Sequence, residues 1–226
     1  NPASNATGEY AFKDVLDLGA VFSLDLRRVI RSVGFNIGTD IETIIPSGSL
    51  WDNYATDGNF DGPAADEANC QIQVATSQAG SGSFGSFNNF ANGTFKGRRF
   101  KFKLILETTN TAQNMNVQQA GFTAEFQSRT EQNYQTGGST STAPQSSGTS
   151  AKTVTFGTPF FVGTSSLGGA NAFLPTVGIT IQNAQSGDFF TVTNVSGTGF
   201  TVNIKNGSSF VDRTFTFQAV GYGKGV

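Results

Sequence analysis

The sequence predicts an all-β protein: two antiparallel β-sandwich domains joined by a flexible linker. Three observations carry this. Residues 189–206, FFTVTNVSGTGFTVNIKN, alternate apolar and polar side chains on both sides of a glycine-containing turn. Phe190, Val192 and Val195 nearly keep a period of two before the turn, and Phe200, Val202 and Ile204 keep it after. That is the pattern of a hairpin with one buried and one wet face, with SGTG free to take positive φ. Charged residues make up only 13% of the 226 positions, against about 25% in ordinary globular chains. Polarity comes instead from Ser, Thr, Asn, Gln and 28 glycines, which favour turns and strand surfaces over helices. Residues 128–150, SRTEQNYQTGGSTSTAPQSSGTS, hold almost no apolar side chains and read as a linker. One domain is therefore expected over 1–127 and a smaller one over 151–226.

The first domain opens with YAFKDVLDLGAVFSLDLRRVIRSVGFNIG. Phe12, Val15, Leu16, Leu18, Val21, Phe22, Leu24 and Leu26 are dense enough to suggest a helix, but Gly19 interrupts and LDLGAVFSLDL alternates, so strand is expected. LRRVIRSVGFNI alternates in part and carries Arg28 and Arg31 near a strand surface. CQIQVATSQ sets Ile72 and Val74 on one face. GRRFKFKLILETT is the clearest strand, with Phe100, Phe102, Leu104 and Leu106 on one side and Lys101 and Lys103 on the other. VQQAGFTAEFQ closes the domain with Phe122 and Phe126. Short strands between Gly/Asn/Asp loops point to a sandwich or jelly roll.

The second domain shows at least five strands: KTVTFGTPF, PTVGITIQN, DFFTVTNV, GFTVNIKN and RTFTFQAVGYG. In the last, Phe215, Phe217 and Ala219 alternate inward while Thr216 and Gln218 point out. So small a core gains stability from association.

Composition also narrows function. Net charge is −2, so neither nucleic acid nor an anionic membrane surface is an expected partner. The chain has no histidine, which excludes Ser-His-Asp and Cys-His catalysis within it. Its single cysteine, Cys70, permits no intrachain disulfide and reads as a small buried hydrophobe. No apolar run reaches the length of a membrane span. The start, NPASNATGEY, lacks a signal-peptide apolar region and reads as a cut through a longer chain or a processed end.

The segments KTVTFGTPF, LPTVGITIQNA, FTVTNVSGTGFTVNIKN and VDRTFTFQAVGYG, taken in this order, resemble the H-type-lectin-like domain of bacteriophage central tail-fibre and tip-attachment proteins. The likeness spans nearly all of the second domain. The LDLG opening, the SLWDNYATDGNFDG loop, the CQIQVATS strand and the FKGRRFKFKLIL strand are similar to the preceding, discoidin-type, galactose-binding-like jelly roll of the same proteins. The resemblance implies a virion tail component, extracellular and homotrimeric, that meets other tail proteins at one end and a bacterial surface glycan or outer-membrane protein at the other. It implies receptor binding without catalysis. A secreted or surface carbohydrate-binding module, a trimerising stalk and a capsule depolymerase stay open beside it. Animal H-type lectins use a histidine to bind sugar; this chain has none, so no sugar-binding role carries over residue by residue.

Several loops hold candidate site residues. Asp57, Asn59 and Asp61, followed by Gly62, form the first half of an EF-hand-like calcium loop, although the twelfth position is Ala68 rather than Glu. The same residues suit a solvated turn. Calcium is the only cofactor the sequence suggests. Trp51 and Tyr54 precede that loop and suit stacking on a sugar or anchoring an interface; Trp51 equally suits plugging one end of the sandwich. Phe84, Phe87 and Phe90 lie in SGSFGSFNNFANGTF, read either as an adhesive loop tip or as an edge excursion whose rings dip into a core or subunit interface. Lys96, Arg98, Arg99, Lys101 and Lys103 suit an anionic polysaccharide or a solvated strand face, with Asp17 and Asp25 as internal partners. Paired carboxylates of a glycosidase would have to come from Asp52, Asp57, Asp61, Asp66 and Glu67, which share one polar loop.

Overall fold

The computed structural model describes residues 7–36, 68–109, 113–132 and 144–223. All regular elements among them are strands. The first group is β1 (Thr7–Ala11), β2 (Leu16–Asn36), β3 (Ala68–Ser77), β4 (Asn88–Asn89), β5 (Gly93–Thr108) and β6 (Gln113–Glu125). The second is β7 (Ser128–Gln132), β8 (Gln145–Ser146), β9 (Lys152–Thr155), β10 (Thr176–Ile181), β11 (Asp188–Thr193), β12 (Gly199–Asn206), β13 (Ser209–Phe210) and β14 (Thr214–Tyr222). Every pairing between them is antiparallel.

The first six strands make one sheet centred on β5. β3 runs along one edge of β5, from Ala68 opposite Thr108 to Ser77 opposite Arg99. The other edge is shared by β1 and the first half of β2. The second half of β2 pairs with β6. The sheet curls, bringing β6 back towards β3, and Phe122 stacks on Phe102 with ring centres 4.7 Å apart. The core of Leu16, Phe22, Leu24, Leu26, Ile72, Val74, Phe100, Phe102 and Leu104 fills the curl. The helix-like crowding of LDLGAVF has a local cause. β2 carries extra residues between Asp17 and Phe22 relative to β5. This bulge puts Gly19 at φ +83°, where a side chain would be strained. Asp17 Oδ1 accepts the Gly19 amide at 2.8 Å and Arg98 Nε at 2.9 Å. Burial raises the Asp17 pKa, but these hydrogen bonds and the nearby Arg98 and Arg99 charges outweigh it and leave it lowered.

The second unit is a two-sheet sandwich. β10, β14, β7 and β8 form one layer, and β11, β12, β9 and β13 the other. Val154, Phe156, Phe160, Phe200, Val202, Ile204, Phe215, Phe217 and Ala219 are buried between them, as the alternation predicts for β12 and β14. The turn before β12 differs from expectation. The left-handed residue is Asn194, at φ 52°. Gly197 and Gly199 serve close approach instead: a Cβ on Gly199 would lie 2.2 Å from the Val154 carbonyl, and one on Gly197 would lie 2.7 Å from the Phe160 carbonyl.

The segment 128–150 is not wholly a linker. β7 pairs with β14 from Ser128 opposite Tyr222 to Gln132 opposite Gln218, and β8 pairs with β14 near Thr214. Residues 133–143 lie outside the described ones. Composition misses β7 because its inward side chains are charged. Arg129 and Glu131 are paired at 2.9 Å and largely buried.

A second charged pair ties the sandwich end together. The Asp188 side chain is 1% exposed and meets Arg213 Nε at 2.6 Å. It also accepts the Gln185 amide at 2.7 Å and Asn206 Nδ2 at 2.9 Å. The Arg213 hydrogen bond, then those from Gln185 and Asn206, hold the Asp188 carboxyl well below the usual carboxylate range. A lowered folded-state pKa stabilises the fold fully above the unfolded value, about 4 for Asp, and that contribution is lost as pH falls from there toward the folded value. Calorimetric melting temperatures are therefore expected to drop below pH about 4. Asp188→Asn should be less stable at neutral pH and show a shallower acid slope. An unchanged slope would rule out this source.

Candidate functional site

The two units meet through aromatic rings. Phe161, which follows β9, leaves its own sandwich and enters the first core. It stacks on Phe126 at 3.8 Å with the planes 6° apart, and meets Phe22 edge-on at 5.8 Å. Its amide donates to the Tyr222 carbonyl at 2.8 Å. Gly223 must be glycine here, since it sits at φ +95° and a Cβ would lie 2.8 Å from the Phe22 ring.

A cleft of about 200 Å³ opens beside this joint, walled by Ala124, Phe126, Phe161, Leu167, Phe173 and Tyr222. The loop from Val162 to Pro175 forms its outer wall and folds on itself. Thr164 and Leu167 exchange backbone hydrogen bonds at 2.9 and 3.1 Å, and the Phe173 amide donates to Val162 O at 3.1 Å. Gly168, at φ +77°, gives Phe173 its place: a Cβ there would lie 2.2 Å from the Phe173 ring. Phe173 stacks on Phe161 at 6.2 Å and meets Tyr222 edge-on at 6.1 Å. Phe173 is 38% and Tyr222 46% exposed, and Leu174 is exposed beside them. The cleft thus offers fixed aromatic faces with one phenol among its walls, and no carboxylate lines it. Its chemistry is stacking and apolar contact.

The structure places the other candidates as follows. Phe90 is 1% exposed and packs against Phe95 and Phe102, so its ring is in the core and out of a receptor's reach. Phe84 and Phe87 are half-buried. Arg99 lies 4.7 Å from the centre of the Phe84 ring and Lys103 4.7 Å from that of Phe87. Arg99 also donates to the carbonyls of Ala79 and Gly82, both at 2.8 Å. Lys103 pairs with Glu9 at 3.1 Å and Arg98 with Asp17 at 2.9 Å. Three of the five cations of the basic stretch therefore clamp the bulge and the 79–87 loop. Asp25 takes the Thr94 hydroxyl at 2.5 Å.

Trp51, Tyr54, Asp57, Asn59 and Asp61 lie outside the described residues, as do Asp52, Asp66 and Glu67. Ala68 begins β3 opposite Thr108. Among the described residues no three acidic, histidine or cysteine side chains gather in a metal-holding group. Cys70 is half-buried against the first core, and burial pushes its thiol pKa up. No helix of the described residues is long and apolar enough to cross a membrane.

Sequence reasoning did not single out Phe173 or Tyr222. The signal for Phe173 was the one used for Phe84, a ring in a Gly-rich loop (GTSSLGGANAFLP). For Tyr222 it was parity, because the residue follows Gln218 and Val220 on the outward face of β14. The fold class is thus all-β and antiparallel, with an aromatic cleft at the joint of its two units. Compared with family models, curated proteins and solved structures, the chain has no match.

Proposed function

We propose that this chain is a non-catalytic component of a phage tail fibre that recognises the bacterial surface, working as a homotrimer on the virion. Its surface partner is a glycan or an outer-membrane protein. The observation that supports this reading best is the exposed aromatic wall of Phe173 and Tyr222. Exposed rings held in place, Phe173 by its folded loop and Tyr222 by β14, suit recognition, because little conformational entropy is lost on contact. The resemblance of the second domain to tail-fibre tips supports the same reading. Three weak sites on one particle give useful avidity through effective concentration.

The test is binding of the labelled chain to a panel of bacterial cells, before and after mild periodate oxidation of surface sugars. Loss on oxidation is expected for a glycan receptor, with Tyr222→Ala weakening binding about tenfold or more. Binding that survives oxidation identifies a protein receptor. Failure to bind any strain overturns recognition and leaves a stalk.

A further inference from the structure

We infer that the aromatic cleft couples surface recognition to the joint between the two units: an occupant of the cleft holds the units docked, and loosening the joint weakens binding. This rests on the receptor reading, because the occupant is the receptor proposed there. What carries it is where the walls come from. Ala124 and Phe126 belong to the first unit, and Phe161, Leu167, Phe173 and Tyr222 to the second. Neither unit forms the cleft alone.

Only Phe126 and Gln127 stand between β6 and β7. So short a connection fixes the distance between the units but leaves their angle to a few backbone torsions, as in a hinge. Three contacts set that angle. Phe161 stacks on Phe126 and meets Phe22 edge-on. Leu167, on the loop that carries Phe173, packs against the first core. Gly223 lies against the Phe22 ring, and its amide donates to the Gln127 carbonyl at 2.9 Å, across the hinge. A swing at 126–127 would part Ala124 from Phe173 and Tyr222 and break these contacts together.

Linkage gives the direction of the effect. A ligand shifts an equilibrium only by its different affinity for the two states. An occupant that fills the cleft makes its full set of contacts only while the units are docked, so it favours docking. By reciprocity, whatever loosens the joint weakens the occupant by the same factor. Engagement at Phe173 and Tyr222 is thereby felt in the first core at Phe22, which lines no part of the cleft.

The test uses the whole chain and a bacterial strain that it binds. Phe22→Leu and Gly223→Ala both loosen the joint, and neither residue walls the cleft; Phe22→Leu also keeps most of the apolar volume. Leu104→Ala is the control. It opens the same core where β5 pairs with Tyr10, away from the pairing of Phe22 with Gly97. The two joint variants are expected to bind cells about fivefold or more weakly, and the control to bind as the parent does. Hydrogen exchange on the unaltered chain is the independent measurement. When the chain binds outer-membrane vesicles of that strain, the peptide holding Gly223 should exchange more slowly, because its bond to Gln127 spans the hinge. Folded joint variants that bind like the parent overturn the coupling and leave recognition standing. So does exchange at Gly223 that vesicle binding leaves unchanged, or a control that loses as much binding as the joint variants. A parent chain that binds no strain overturns the receptor reading, and the coupling with it.

Discussion

Replacing Glu131 by alanine is expected to destabilise the fold by about 3–5 kcal/mol, the usual result of removing one partner of a buried ion pair. The Glu131 side chain is 9% exposed and that of Arg129 18%. One carboxylate oxygen takes Arg129 at 2.9 Å, and the other takes the Gly157 amide at 2.5 Å. Arg129 also donates to the Gly223 carbonyl at 2.8 Å and to the Thr158 carbonyl, with its guanidinium 3.8 Å from the centre of the Phe160 ring. Without Glu131 the cation keeps two carbonyls and a ring but loses its counter-charge, and the Gly157 amide loses its acceptor. Glu131→Gln keeps an acceptor and should cost less. Replacing both partners by apolar residues, Arg129→Met with Glu131→Leu, should cost clearly less than the two single losses added, because no unpaired charge is left behind. Urea unfolding decides this. An alanine variant within about 0.5 kcal/mol of the parent would place the pair among ordinary surface ion pairs.

This pair also explains what could be read in the sequence. Wherever burial is carried by apolar alternation, the strands were legible: Phe100, Phe102 and Leu104 in β5, and Phe215, Phe217 and Ala219 in β14, are buried as their spacing predicts. The segment 128–132 was not legible, because its inward residues are an arginine and a glutamate whose partners come from Gly157, Thr158 and Gly223. Charges become buriable only through partners remote in sequence, and composition holds no trace of them. The same limit hid the cleft. Phe161 follows a strand of the second sandwich by position yet packs with Phe22 and Phe126 of the first unit. No local pattern marks a ring that crosses between units. The basic stretch 96–103 shows the converse. It was legible as charge, but only the fold shows Arg98, Arg99 and Lys103 engaged with Asp17, the 79–82 carbonyls and Glu9.

Phe161 carries the other large expected effect, because it works for both units at once. It is 3% exposed, and Phe161→Ala is expected to cost about 3–5 kcal/mol, as truncation of a buried Phe does. The loss should not be shared evenly. The ring fills space against Phe22 and Phe126 in the first core, while its backbone is held to Tyr222 in the second unit. Truncation therefore removes the packing through which one unit stabilises the other. The parent chain is expected to melt in one calorimetric transition and the alanine variant in two, with the first-unit transition falling further. Phe161→Leu retains most of the apolar volume and loses the 3.8 Å stack, so a loss of about 1 kcal/mol is expected. Phe173→Ala is the contrasting case. Its ring walls the same cleft but is 38% exposed, so stability should change little while the cleft opens. A single unshifted transition in Phe161→Ala would show that the units are coupled elsewhere, as where Gly223 sits against the Phe22 ring. Two transitions would locate the coupling in the aromatic joint, and a matching loss of cell binding in Phe173→Ala would tie that joint to recognition.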